Sequence, residues 1–213
     1  MNEYFNSQID YIYSIYGLAY FFIGILVLSI FRRQSPSWIW LALFGIAHGL
    51  SQWWELAAEI YPEHLLFIIV RTGLLIFSFL ALIEFGRTGS RFRITRWVYL
   101  PLFGLVSLGW LAGSAGFNVG ISYILGITGG IWAALAFWQA GQVATSGKRL
   151  LKVAAGAMAF YGLSNMVVPA AGFYPNIYIN NNAFISWAGF PIQFVRFGAA
   201  SIIAFNIWEY ASV

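Results

Sequence analysis

Val70-Arg71-Thr72-Gly73 lies in an apolar run from Leu65 to Gly86, which carries Glu84-Phe85 near its far end. A run of this length can cross a bilayer core, which takes about 20 residues. An arginine inside it costs about 3 kcal/mol or more unless it faces a partner or a cavity. The pattern returns near the C-terminus as Val195-Arg196-Phe197-Gly198, with Glu209-Tyr210 at the same spacing. The two copies predict equivalent helices of a duplicated membrane protein.

The composition indicates that the whole chain is membrane-embedded. Of its 213 residues, 61% are hydrophobic and 8% are charged, and the mean hydropathy is +0.76. Soluble domains carry about 25% charged residues. The absence of cysteine excludes disulfides and thiolate chemistry. We therefore expect a single integral membrane domain over residues 1–213, in which membrane topology rather than nucleic-acid binding explains the net charge of +4.

Windows of about 20 apolar residues predict seven transmembrane helices. They run roughly over Tyr11–Phe31, Ser37–Ala58, Leu65–Gly86, Trp97–Gly113, Gly120–Ala144, Leu151–Ala171 and Phe184–Tyr210. Nine of the eleven Lys and Arg residues fall at one end of these helices: Arg32, Arg33, Arg87, Arg91, Arg93, Arg96, Lys148, Arg149 and Lys152. Because positive charge stays on the cytoplasmic side, the N-terminus is expected outside and the C-terminus in the cytoplasm.

An internal repeat is predicted from two further matching segments. Gly-Leu-Ser followed by a carboxamide occurs at Gly49–Gln52 and again at Gly162–Asn165, 113 residues later. The two arginines are 125 residues apart, and a longer loop at 172–183 accounts for the difference. We expect repeat A over about residues 11–86, a linker helix over about 97–113 and repeat B over about 120–210. This all-α, 3+1+3 parallel repeat has a pseudo-twofold axis along the membrane normal.

Polar residues inside the predicted spans define a candidate ligand site. They are Arg71, Arg196, His48, Gln52, Asn165, Gln193 and Glu55, with Trp53 beside them. Two arginines and one nearby acid leave a net positive charge. This suits a small or amphipathic anion, because a guanidinium binds a carboxylate in a planar, bidentate manner. In the alternative interpretation, the arginines bond Glu55, carboxamides and backbone carbonyls and merely lock the helices together.

His48 has three interpretations. It is a packing residue held by hydrogen bonds, a titrating or ligand-bonding group, or an axial ligand of haem b with the arginines at the propionates. A retinal Schiff base is excluded, because the only lysines, Lys148 and Lys152, lie at the cytoplasmic edge. The chain shows no catalytic or phosphate-binding motif, so we do not expect an enzyme.

One segment resembles a known family. Arg32-Arg33-Gln34-Ser35 leads into Leu41–Leu50, which includes Phe44-Gly45-Ile46-Ala47-His48-Gly49-Leu50, and then into Trp53. This is similar to the N-terminal multi-pass sensor regions of bacterial histidine kinases and diguanylate cyclases, where an R-R-x-S turn precedes an F-G-x-x-H-G-L helix ending in an acid and a tryptophan. Here Gln52 replaces the acid, and Glu55 is close.

The resemblance implies a sensory input domain in the bacterial inner membrane. Its last helix would pass into a cytoplasmic output domain or partner of a two-component or related signalling system, within a homodimer. The expected partners are membrane lipid and a small anionic ligand. A small transporter or channel is the alternative, because parallel triplet repeats also build carriers. A haem-binding membrane sensor is the third hypothesis.

Overall fold

The computed structural model describes residues 9–31, 36–61, 64–92 and 94–213, and these form helices and loops without any strand. The helices are α1 Ile9–Phe31, α2 Pro36–Ile60, α3 Leu65–Gly89, α4 Tyr99–Leu108, α5 Gly113–Gly120, α6 Ile127–Val143, α7 Lys148–Ser164, α8 Asn181–Ala188 and α9 Ile192–Ser212. A π-helical segment, Ile121–Gly126, joins α5 to α6. The predicted all-α class is confirmed. The basic residues Arg32, Arg33 and Arg93 lie outside the described residues.

Three helical stretches of the described chain are long and apolar enough to cross a membrane: Asp10–Phe31, Leu65–Gly89 and Arg96–Val143. Together α8 and α9 form a fourth, although they are bent by 84° relative to each other. By contrast, α2 is a continuous helix whose apolar sequence is interrupted by the polar residues His48, Gln52 and Glu55. α7 has only 17 residues. The protein is therefore helical, with three or four candidate membrane spans.

Six of the long helices form a closed ring. In the order α1, α2, α3, α6, α7 and α9, each helix packs against the next, and α9 returns to α1. The core inside the ring is apolar and aromatic, with fully buried Tyr20, Phe44, Phe79, Phe137 and Tyr161. α4 packs against α5 and the π-helical segment. The ring places residues from distant parts of the sequence around one interior.

Close glycine contacts join two pairs of helices in this ring. A Cβ atom added to Gly49 of α2 would lie 2.7 Å from the carbonyl oxygen of Gly17 in α1. A Cβ atom added to Gly130 of α6 would lie 2.3 Å from the Cα atom of Gly162 in α7. The neighbouring atoms are backbone atoms, so no rotamer change can make room for a larger residue. Small residues thus set both helix separations, as is common in membranes.

The last predicted helices differ from the observed ones. α7 ends at Ser164, whereas the sixth predicted span continued to Ala171. The seventh, Phe184–Tyr210, is broken into α8 and α9. Gly189 ends α8 with a φ of 81°, a conformation that favours glycine. Pro191 then precedes the first residue of α9, so the chain leaves in a new direction.

The helical stretch from Arg96 to Val143 reverses direction at Gly113, where φ is 74°. Trp110 before the turn stacks on Phe117 after it, with ring centroids 4.7 Å apart. The fourth and fifth predicted spans correspond to the two arms of this hairpin. The link expected between them is itself helical and forms α5.

We expect Gly130→Ala to lower the free energy of unfolding by about 1–3 kcal/mol, because its Cβ overlaps the backbone of Gly162. Gly156, on the exposed side of α7, is the matched control, since a Cβ atom there meets nothing within 4 Å. Gly156→Ala should be neutral or slightly stabilising. Thermal unfolding in detergent compares the variants, and equal Tm values would contradict this packing.

Candidate functional site

Seven of the eight predicted site residues line one cavity of about 330 Å³, which we call the polar cavity. It is lined by residues of α1, α2, α3, α5, α8 and α9, by the π-helical segment and by the segment after α7. The seven are His48, Gln52, Glu55, Arg71, Asn165, Gln193 and Arg196. The volume is at the lower end of the range for small-molecule sites, about 300–1,000 Å³.

Sequence reasoning missed part of the lining. Asn118, Ser122 and Asn181 also face the polar cavity. Asn118 was placed in a link between helices and Asn181 in an outer loop, so neither was considered. The Oδ1 atom of Asn181 is buried and has no hydrogen-bond partner within the described chain. These residues could have been predicted as part of the lining, because they are polar and lie in or next to apolar helices.

Trp53 lies outside the polar cavity. Its Nε1 atom donates to the carbonyl oxygen of Ser14 at 3.3 Å, and its ring lies 5.3 Å from that of Phe21, between centroids. The indole also lies against Gly17, where a Cβ atom would be 2.6 Å from Nε1. Trp53 therefore anchors α2 on α1.

Arg71 has a carboxylate partner. Its Nε atom is 3.7 Å from Oε1 of Glu55, and the two side chains are 21% and 38% exposed. The pair joins α3 to α2 and balances one positive charge of the polar cavity.

Arg196 binds neutral oxygens. Its Nε atom donates to Ser164 Oγ at 3.3 Å, and Nη2 donates to the carbonyl oxygens of Ser164 at 3.0 Å and Val167 at 2.9 Å. α7 ends at Ser164, whose carbonyl oxygen also accepts the N–H of Val167 at 3.0 Å. The C-terminal end of a helix carries partial negative charge, which attracts a cation. No carboxylate among the described residues pairs with Arg196. Two guanidinium groups and one carboxylate thus leave the described lining with one net positive charge.

His48 is buried and bonded to protein groups through both ring nitrogens. Nδ1 is 3.3 Å from Ser78 Oγ, and Nε2 is 3.1 Å from the hydroxyl oxygens of both Tyr16 and Tyr161. The Ser78 hydroxyl donates to the carbonyl oxygen of Leu75, so it accepts a hydrogen bond from Nδ1–H. Nε2 is left to pair with the two tyrosines. His48 thereby connects α2 to α1, α3 and α7.

Arg196 also lies near the residues that bond His48. Its guanidinium is close enough to the buried Tyr16 hydroxyl, which faces His48, to interact with it electrostatically. The positive charge on α9 is therefore close to the centre of the bundle.

These contacts do not fit a haem at His48. An iron atom at Nε2 would displace both tyrosine hydroxyls, and the imidazole is enclosed by Tyr20 and Phe44, with ring centroids at 4.7 and 5.3 Å. The described residues also contain no group of three or more His, Asp or Glu side chains placed to hold a metal ion. The geometry favours His48 as a residue that positions its neighbours.

Comparisons with protein-family models, with curated proteins and with solved structures found no match to this chain.

Ser78→Ala should lower the free energy of unfolding by about 1–3 kcal/mol, because it leaves a buried nitrogen of His48 without a partner. Ser107→Ala is the matched control. The Ser107 hydroxyl likewise bonds a carbonyl of its own helix, at 2.8 Å, but is exposed. Thermal unfolding in detergent measures both changes. A loss for Ser78→Ala no larger than that for Ser107→Ala would show that the His48 bond contributes nothing.

Proposed function

We propose that this chain is the membrane-embedded sensory input domain of a bacterial signal-transduction protein and that the polar cavity binds a small anion. The observation that carries the proposal is the net positive charge beside Arg196. Burying a charge without a counter-ion is costly, so an anion that enters the polar cavity gains free energy there. A guanidinium also offers strong, directional hydrogen bonds to a carboxylate.

The proposed topology has seven crossings, made by α1, α2, α3, α6, α7, α9 and the helical stretch over residues 96–112, which contains α4. The polar cavity and the basic residues support the orientation, because they lie at opposite ends of the helices. Arg87, Arg91, Arg96 and Arg149 are at the end away from Arg71. With positive charge inside, the polar cavity would face the outside and the C-terminus would lie in the cytoplasm.

The proposed internal repeat is supported by packing order. α1, α2 and α3 pack in the same sequence as α6, α7 and α9. The Gly17–Gly49 contact and the Gly130–Gly162 contact are offset by 113 residues, as the sequence repeat predicts. His48 and Tyr161 are also 113 residues apart and touch each other. Equivalent residues meet only at a twofold axis, so the proposal places the pseudo-axis at this contact.

The repeats differ where the ligand is proposed to bind. Glu55, which balances Arg71, corresponds to Val168 in the second repeat. Arg196 instead binds Ser164, the equivalent of Ser51, four residues earlier. The loss of the acid explains why Arg196 supplies the net charge.

α9 is the proposed transmitting helix. It carries Arg196 near its first turn and Tyr210 near its end, where Tyr210 stacks with Phe31 at 6.1 Å between centroids. An anion at Arg196 would compete with the carbonyl oxygens of Ser164 and Val167 for the guanidinium. It would thereby shift α9 relative to α7. Such a shift requires that the ligand bind the two helix arrangements with different affinity.

The end of the bundle near Tyr210 is packed with aromatic rings. Phe31 stacks on Trp38 at 4.3 Å, and Trp38 contacts Phe85 and Phe137 at 5.8 and 5.9 Å, all between centroids. A cavity at one end and an aromatic layer at the other favour a receptor over a channel or transporter. As the family resemblance implies, α9 would lead to a cytoplasmic output domain within a homodimer.

Anion binding can be tested by titrating the detergent-purified protein with acetate, propionate and succinate in a calorimeter. Arg196→Gln should raise the Kd by about tenfold or more, because the polar cavity then has no net charge. Glu55→Gln should lower the Kd, because it adds one net positive charge. Arg149→Gln, an exposed change at the basic end, is the control and should leave the Kd unchanged.

Two results would overturn the anion site. One is the absence of binding for every carboxylate. The other is an affinity that changes equally in Arg196→Gln and Arg149→Gln, which would indicate attraction to the overall charge of the protein.

A further inference from the structure

A second cavity, which we call the lateral groove, lies between α7, α8 and α9 and has a volume of about 670 Å³. Of its ten lining residues, Ser164 is polar and nine are apolar. Its walls include Phe160 and Leu163 of α7, Trp187 of α8 and Val195 of α9.

The lateral groove faces away from the ring interior. Phe160 and Leu163 are 57% and 50% exposed, on the outer side of α7. α8 is turned by 84° from α9, and its Trp187 is 84% exposed. A short helix across the bundle with an exposed tryptophan is typical of the membrane interface, where tryptophan is enriched. In the proposed topology, the groove opens to the hydrocarbon just below this interface.

The lateral groove and the polar cavity meet at Val167, which lines both. Ser164 and Val167 line the groove, and their carbonyl oxygens accept hydrogen bonds from Arg196. α7 has ended at Ser164, so the chain at this border is a turn and loop. An apolar groove thus lies directly beside a cation that has no carboxylate partner among the described residues.

We propose that the lateral groove binds the hydrocarbon chain of a single-chain anionic amphiphile, a long-chain carboxylate, whose head group binds Arg196. The inference rests on the proposed anion site and names its ligand class. Each part of such a molecule would contact groups of matching chemistry. The hydrocarbon chain would pack against the apolar side chains of the groove, and the carboxylate would bind the guanidinium of Arg196. A neutral lipid would satisfy only the groove, and a small carboxylate only the cation.

Trp187 makes the proposal testable in the full chain. The probe is dibromostearate, whose bromine atoms quench nearby tryptophan fluorescence, added to the protein in phosphatidylcholine nanodiscs. We expect saturable quenching, whose Trp187 component is identified by its loss in Trp187→Phe. Arg196→Gln should weaken carboxylate binding by about tenfold. The methyl ester of the same acid should bind weakly and equally to both proteins.

Ala188→Phe provides a second variant that leaves Arg196 in place. Ala188 lines the groove, so the larger ring should fill it and abolish dibromostearate quenching. Binding of acetate or propionate in the polar cavity should be unchanged. This variant separates failure of the groove proposal from failure of the anion site.

Three outcomes would overturn the proposal. Equal quenching by the acid and its ester, unaffected by Arg196→Gln, would mean that bilayer lipid fills the groove. If carboxylate binding depends on Arg196 but is unchanged in Ala188→Phe, the hydrocarbon chain of the ligand binds elsewhere. The anion site would then be supported and the groove proposal would be wrong. A dimer that Ala188→Phe dissociates, together with an unquenched Trp187, would identify the groove as an interface between two copies.

Discussion

The architecture around the polar cavity depends on a cation that the described chain surrounds with neutral oxygens. An arginine within an apolar helix costs about 3 kcal/mol or more unless it finds partners. Arg196 finds them at and just beyond the end of α7, where it donates to the carbonyl oxygens of Ser164 and Val167. The same hydrogen bonds thus stabilise both the Arg196 cation and the C-terminal end of α7. These neutral oxygens do not cancel the charge, so the described lining of the polar cavity carries one net positive charge.

The helix ring holds this charge in place. Backbone contacts at Gly49 and Gly130 set the separations of two helix pairs, while His48 ties four helices through Tyr16, Ser78 and Tyr161. The three hydrogen bonds to His48 each join α2 to a different helix. The proposed sensory role would require ligand binding to change the position of a helix in this ring.

The helical class and most cavity residues could be predicted because polar groups in apolar helices have few stable environments. Which side of each helix points to the interior could not be predicted from the sequence. The lipid-facing and interior sides are both apolar, so their hydrophobicity shows no periodic contrast. For this reason Tyr16 and Tyr161 were missed as partners of His48, and Trp53 was placed in the site. The break at Gly189 and Pro191 was visible in the sequence, but an apolar window runs across it. The contacts of Arg196 could not be predicted, because they depend on where α7 ends, which tertiary packing determines.

Anion binding at Arg196 is tested most directly by anomalous X-ray diffraction from crystals grown with 3-bromopropionate. Bromine is located by its own signal, independently of how the protein is built into density. We expect a bromine peak in the polar cavity, with the carboxylate beside Arg196. Bromine peaks confined to the basic end of the helices, with the polar cavity holding only water, would contradict it.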